Sequence, residues 1–240
     1  MKNSEMPRAA VVDSRMSAEC RRTLETYGYT VIPLPPSPFL ASPVSAHPDM
    51  LMFIGNARLI CEKRYFDDNA ETVERIAKIG GLKIDTTDEK ASPEYPHDVI
   101  FNAAPIGDKL ICRKASVAKK IADMYEAENI VNVRQGYAKC SCLTVGDSGI
   151  ITADPSIAKG AAAAGLDVLL LKEQGVSLNG YNCGFIGGAS GDDGRHIFFC
   201  GCLDRHPESR AIVEFCHLHG RETVSLSKEE LYDYGSLLFV

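Results

Sequence analysis

SVAKKIADMYEAENIVNVRQGYAKCSCLTVGDSGIITADP, residues 116–155, decides the fold. Val117, Ile121 and Met124 fall on one face of a helix, which is followed by a short strand, IVNVRQ. A second strand, around AKCSCLTV, turns at Gly146-Asp147 into a third, GIITA. Apolar residues three to four apart predict the helix, and a Gly-polar pair that accepts positive φ predicts the hairpin. The same order is repeated five times, with helices beginning near Ser17, Glu71, Ser116, Ser156 and Glu208 at spacings of 40 to 54 residues. A period of this size marks an architecture of stacked units.

The other units carry the same marks. Cys20, Leu24 and Tyr27 share a helix face, as do Val73, Ile76 and Ile79. Ser116 and Ser156 stand where an N-cap belongs, and Gly28, Gly80, Gly165 and Gly220 stand where four helices close. Further turns fall at Gly55-Asn56, Gly107-Asp108 and the longer Gly191 to Gly194. The fifth unit ends in LYDYGSLLFV and lacks its third strand; PRAAVVDS, residues 7–14, supplies one. Pairing the chain ends would close a ring with no free sheet edge. The expectation is an α/β fold, a five-bladed α/β propeller with pseudo-five-fold repeats closed by N- and C-terminal strands, forming one domain over residues 1–240.

A net charge of −6 disfavours nucleic acid or an anionic membrane as partner. No apolar run reaches the roughly 18 residues of a membrane span, and the polar start MKNSEMPR has no signal-peptide core, which implies a cytoplasmic protein. The Pro- and Ser-rich stretch at residues 35–48 reads equally as a binding loop and as a passive surface loop.

Nine cysteines, an odd number, argue against a disulfide framework. Cys140/Cys142 and Cys200/Cys202, with His206 nearby, invite a zinc reading, but the Cys-x2-Cys spacing is missing. Aligning the third strands puts Cys61, Cys112 and Cys200 at one position, with Thr152 and Asp13 in the remaining units, as expected of a packing site. No metal and no cofactor are implied. GFIGGASGDDG, residues 184–194, runs into the strand HIFFC rather than a helix, so its glycines point to close backbone packing and not to a phosphate loop.

In a closed ring the second strands would crowd the axis. Their starting residues are His47 and Asp49, His97 and Asp98, Lys139 and Cys140, Asn182 and Cys183, and Asp233 and Tyr234, with Asn102 competing with Asp98. Carboxylates converging with imidazoles and thiols suit a small cation: the carboxylates hold it, a His moves protons and a Cys attacks carbon. Each Asp reads equally as a turn carboxylate, and His47 and His97 equally as surface or capping residues. Cys140, Cys142 and Cys183 read either as buried strand cysteines or as a source of a thiolate.

Five units of helix plus three strands, closed by the chain ends, resemble the pentein fold of guanidine-modifying enzymes and of the ribosome anti-association factor of archaea and eukaryotes. Gly136 to Gly191 and the ending LYDYGSLLFV look most like short members related to dimethylargininase and the amidinotransferases, and closest to an uncharacterised group. The resemblance implies attack of a Cys thiolate on a guanidinium carbon, an amine leaving with a proton from His, and acidic side chains clamping the guanidinium nitrogens. It places the family Cys where this chain has Tyr234-Gly235-Ser236 and the family His where it has Tyr181-Asn182-Cys183. The expected site therefore takes Cys140, Cys183 and His97 as catalytic residues. Asp49, Asp98, Lys139, Asn182 and Asp233 are expected to bind the substrate. The expected function is a hydrolase or amidinotransferase on a guanidino or cationic amine compound. The alternative is a catalytically silent pentein that binds a small cation or a protein.

Overall fold

The computed structural model describes residues 9–240. Fifteen strands form five sheets of three. The chain opens with β1 (Ala9–Asp13), α1 (Ala18–Thr26) and β2 (Thr30–Leu34), then α2 (Pro48–Leu51), β3 (Met52–Gly55) and β4 (Arg58–Glu62). Next come α3 (Lys63–Gly80), β5 (Lys83–Thr87), β6 (Ala104–Ile106), β7 (Lys109–Cys112), α4 (Lys119–Ala122) and β8 (Ile130–Asn132). They are followed by α5 (Ala138–Ser141), β9 (Cys142–Val145), β10 (Gly149–Thr152), α6 (Pro155–Ala163) and β11 (Asp167–Leu170). The last are β12 (Ser190–Asp192), β13 (His196–Phe199), α7 (Ser209–Leu218), β14 (Glu222–Ser225) and β15 (Leu238–Phe239).

Each sheet is built across a repeat boundary. The central strand pairs antiparallel with the strand before it and parallel with the strand after the next helix, as in β3-β4-β5 and β9-β10-β11. A parallel neighbour needs a crossover, and the repeat helix supplies it. The unit read from the sequence is thus offset by one strand from the sheet that forms. In the fifth sheet β1 is central, parallel to β2 and antiparallel to β15, with Val11 opposite Leu238. The expected closing strand at residues 7–14 is met by β1, while residues 7 and 8 and the rest of the polar start lie outside the described residues.

Several local expectations need correction. α3 begins eight residues before Glu71, with a break in helical geometry at Asn69. Gly81, not Gly80, takes the left-handed position that closes it. Ser116 caps nothing, because α4 starts only at Lys119. Asp154 rather than Ser156 caps α6, accepting from the amides of Ser156 and Ile157. Among the described residues no helix is long and apolar enough to cross a membrane.

The third-strand position is buried in all five units, with Cys61, Cys112, Thr152 and Asp13 fully so and Cys200 nearly so, but Asp13 pairs with Arg15 there instead of packing as a small hydrophobe. Burial pushes the Cys61 thiol up to about 12 and the Cys112 thiol up to about 11, as expected of thiols used as small hydrophobes. All nine cysteines are free. Among the described residues no group of three or more His, Cys, Asp or Glu side chains is placed to hold a metal ion.

The glycine-rich stretch lets one chain segment cross others at close range. A Cβ on Gly187 would collide with the carbonyl oxygens of Lys139 and Cys142, and one on Gly188 with the Asp233 carboxylate. Backbone oxygens cannot rotate away, so overpacking here costs stability directly. Gly187→Ala is expected to lose about 1–3 kcal/mol, measured by urea denaturation of the two proteins; equal midpoints would show that the crossing has slack.

Candidate active site

The residues that meet at the centre of the site lie just ahead of the second strands, in tight turns rather than in the strands. Asp49 is in α2, Cys140 in α5, Asn102 two residues before β6 and Ser236 two residues before β15. Gly187, near the start of β12, supplies a carbonyl. Pro48 and its neighbours form a single helical turn that delivers Asp49, and the Asp49 amide donates to the Gly235 carbonyl.

One hydrogen-bonded cluster joins these turns. Asn102 Oδ1 accepts from the amides of Lys139 (2.7 Å) and Cys140 (3.1 Å), which turns its Nδ2 toward Cys140 Sγ at 3.1 Å. The Cys140 thiol lies 3.0 Å from Asp49 Oδ2. Ser236 Oγ donates to the same oxygen at 2.7 Å, and Lys139 Nζ donates to Ser236 Oγ at 3.2 Å. Among the described residues Asp49 Oδ1 has no hydrogen-bond partner, although Asp49 is only 2% exposed. A buried carboxylate oxygen left in this state is costly.

A cavity of about 250 Å³ opens on this cluster. Tyr137, Tyr181 and Phe185 supply aromatic wall, and Tyr137 and Phe185 stack with ring centroids 6.1 Å apart. Met50, Val44 and Leu178 add aliphatic surface. The polar groups set into it include His47, Cys140 and Asp233. A second cavity of about 530 Å³ shares His47 and is lined by Asp13, Arg15, Ser42, Asn179 and Tyr234. Arg15 bridges Asp13 to the carbonyls of Ser42 and Pro43, which fixes the loop at residues 35–48 against both cavities.

Burial and like charge set the electrostatics. Asp233 accepts from the amides of Phe185 and Gly235, both at 2.9 Å. Its carboxyl is nevertheless pushed up to about 7, first by burial and then by the charge of Asp49. Burial, then Asp49 and Asp233, hold the Cys140 thiol well above the ordinary range, with the Asn102 amide acting the other way. Burial holds His47 below its ordinary value against the pull of Asp49 and Asp13, so its ring, 3.8 Å from Asp13 and from Asp233, is neutral at neutral pH.

Of the residues expected from the sequence, Asp49, Lys139, Cys140 and Asp233 are brought together. Cys183, half-buried, and Asn182, exposed, line the same cavity, but they lie in a loop and not at a strand start, because β12 begins only at Ser190. Asp98 reaches the site through Tyr137, whose hydroxyl donates to Asp98 Oδ2 at 2.5 Å; burial raises the Asp98 carboxyl. His97 is exposed on the connection between β5 and β6 and lines neither cavity, so the imidazole in the cavity wall is that of His47. Ser236 and the aromatic wall were not expected. Ser236 occupies the place where the resemblance puts the family Cys, and that correspondence was the available signal for it.

Three solved structures share this fold over nearly the whole chain. SxtG, an amidinotransferase of the saxitoxin biosynthetic pathway from Microseira wollei, aligns with a TM-score of 0.52 at 11% identity over 93% of this chain and 89% of its own. DDAH from Pseudomonas aeruginosa, a Cys-to-Ser variant bound to citrulline, aligns at 0.54 and 10% identity over 93% of both chains. A dimethylarginine dimethylaminohydrolase adduct with 4-chloro-2-hydroxymethylpyridine aligns at 0.53 and 10% identity over 92% of this chain and 93% of its own. The chain therefore has the pentein fold. No curated protein matches it. Within the fold it belongs to the Family of unknown function (DUF6873), whose sequence model matches residues 11–238.

The raised Asp233 carboxyl has a consequence for stability. Below its ordinary value of 3.8, Asp233 is protonated in both folded and unfolded chains. Between there and about 7 the folded chain keeps a proton that the unfolded chain releases, so the Asp233 contribution to stability falls as pH rises through this window. Relative to Asp233→Asn, the wild type is expected to lose unfolding free energy steadily from about pH 4 to pH 7. Urea titrations of both proteins across that range check it, and a constant difference would contradict it.

Proposed function

We propose that this chain binds a small guanidino- or amine-bearing cation in the 250 Å³ cavity and acts on it as an amidine hydrolase or amidinotransferase, with Cys140 as nucleophile. The five sheets are read as a five-bladed α/β propeller closed by β15 on β1, with this cavity at its axis. The observation that carries the reading is the Cys140 thiol, set in the same cavity wall as Asp233 and 3.0 Å from the buried Asp49 carboxylate. Aromatic faces and carboxylates both favour a cation. The net charge of −6 favours the same ligand over nucleic acid or an anionic membrane.

A cation in the cavity offsets the field of Asp49 and Asp233, which is part of what keeps the thiol protonated. Asp49 then takes the thiol proton, and sulfur attacks the guanidinium carbon. The proton passes from Asp49 to the departing amine as the carbon–nitrogen bond breaks. Water, or an acceptor amine, attacks the sulfur-bound carbon and gives a proton to neutral His47, and the thiolate leaves. Asp233 ionises as it pairs with the cation.

The second reading, a catalytically silent cation-binding pentein, is favoured by one observation: without ligand, the thiol is buried and held well above the ordinary range. Both readings predict cation binding linked to loss of the Asp233 proton. Affinity for agmatine or arginine, measured by calorimetry, is expected to rise with pH by up to about tenfold per unit until about pH 7 and then level off. Asp233→Asn should remove that dependence. Amine or ammonia release that disappears in Cys140→Ala decides for the enzyme, binding without turnover decides for the silent protein, and no binding of either compound overturns both.

A further inference from the structure

Ser236 is fully buried at φ 71°, a left-handed backbone region that glycine adopts freely and serine does not. Its hydroxyl has one hydrogen and two acceptors within reach, Asp49 Oδ2 at 2.7 Å and the Gly187 carbonyl at 3.0 Å. Its oxygen accepts from Lys139 Nζ at 3.2 Å. With Asp49 ionised, the hydrogen belongs on Asp49, the stronger acceptor. If Asp49 gained a proton, the hydroxyl could turn to Gly187 and leave no hydrogen bond unmade. One hydroxyl can thus turn between Asp49 Oδ2 and the Gly187 carbonyl while its oxygen still accepts from Lys139.

We propose that Ser236, anchored by Lys139, is the positioning residue that orients the Asp49 carboxylate against the Cys140 thiol so that it accepts the thiol proton. The proposal rests on the reading of Cys140 as nucleophile. In the step, the S–H bond breaks and an O–H bond forms on Asp49 Oδ2. The electron pair stays on sulfur, where the Asn102 amide donates to it. Ser236 redirects its hydrogen to Gly187, and Lys139 keeps its proton throughout. The titratable and charged groups around the Cys140–Asp49 pair are Lys139, Asp233 and His47, with Tyr181, Tyr137 and Asp13 farther out. Replacing Ser236 keeps every one of these residues and removes only the hydroxyl between Lys139 and Asp49.

The test is the pH profile of Cys140 alkylation by iodoacetamide, read residue by residue with mass spectrometry on the full folded chain. Reactivity falls toward low pH, where the Cys140 thiol keeps its proton. Ser236→Ala, Ser236→Gly and Lys139→Met each withdraw support from the Asp49 carboxylate. They are expected to move that limb upward by about one pH unit, a tenfold loss of rate at a fixed pH below it. Lys139→Arg is expected to restore it. Ser236→Gly accepts the positive φ without strain, so it separates loss of the hydroxyl from loss of the fold. An unmoved limb in the Ser236 variants, with Cys140 still reactive, overturns the proposal and leaves the reading of Cys140 intact. A Cys140 that is unmodified at every pH at which the wild type stays folded overturns both.

Discussion

Asp49 and Asp233, 2% and 1% exposed, share one small space with a buried thiol, and the rest of the site is arranged around the expense of keeping them there. An isolated buried carboxylate is too costly to persist as an anion; it must be hydrogen-bonded, paired or protonated. The two acids meet that demand differently. Asp49 draws donors from Ser236 and Cys140. Asp233 draws two backbone amides and still holds its proton up to about 7. One acid is held close to the thiol while its neighbour keeps a proton well above the usual carboxyl range. Two carboxyls in different environments acquire different work, as expected when surroundings push their affinities for protons apart.

The backbone pays for this proximity in conformation. Gly187 and Gly188 have no room for a Cβ, and Ser236 accepts a left-handed φ, because four turns and the final chain segment converge on one point. The amides of Tyr234 and Ser236 both donate to the Gly188 carbonyl, and the Asp49 amide donates to Gly235. These bonds satisfy polar backbone that would otherwise be buried alone. The pairing of β1 with β15 brings the C-terminal segment, with Asp233 and Ser236, back against the start of the chain. A loss of that pairing would reach the site directly.

The sequence was informative where physics repeats and uninformative where it does not. Five helix-and-strand units were legible because apolar residues at helical spacing recur along the chain and glycine turns such as Gly107 and Gly146 recur in four of the units. The grouping of strands into sheets was not, because a parallel neighbour is chosen in three dimensions, after the helix has crossed over. Asp49 and Cys140 could be grouped because each lies six residues before the glycine of its turn, Gly55 and Gly146, and Asp233 because it precedes the last strand. Asn102 was legible only as a competitor of Asp98, and Ser236 only as the residue at the family Cys position, since a serine after a glycine and an asparagine before two alanines look like ordinary turn residues. What distinguishes them is contact with Cys140 and Asp49 from 38 and 187 residues away in the chain. His97 was drawn in for the same reason: its Pro-His-Asp setting differs from the His-Pro-Asp at His47 only by exchange of Pro and His, yet its backbone bonds tie it to an exposed turn.

Under the proposed reading, the departure from the family pattern has a geometric basis. The turns ahead of β3, β6, β9 and β15 deliver their side chains to one cluster, so sulfur from any of them reaches the same small volume. Moving the thiol from the last turn to the one ahead of β9 changes which side the nucleophile stands on, not whether it meets the carboxylates. The last turn then becomes free to hold a hydroxyl, and Ser236 is bonded to the very oxygen that faces Cys140. A site assembled from repeats can exchange the roles of its turns in this way, whereas a site built on one loop would have to keep its nucleophile where the loop put it.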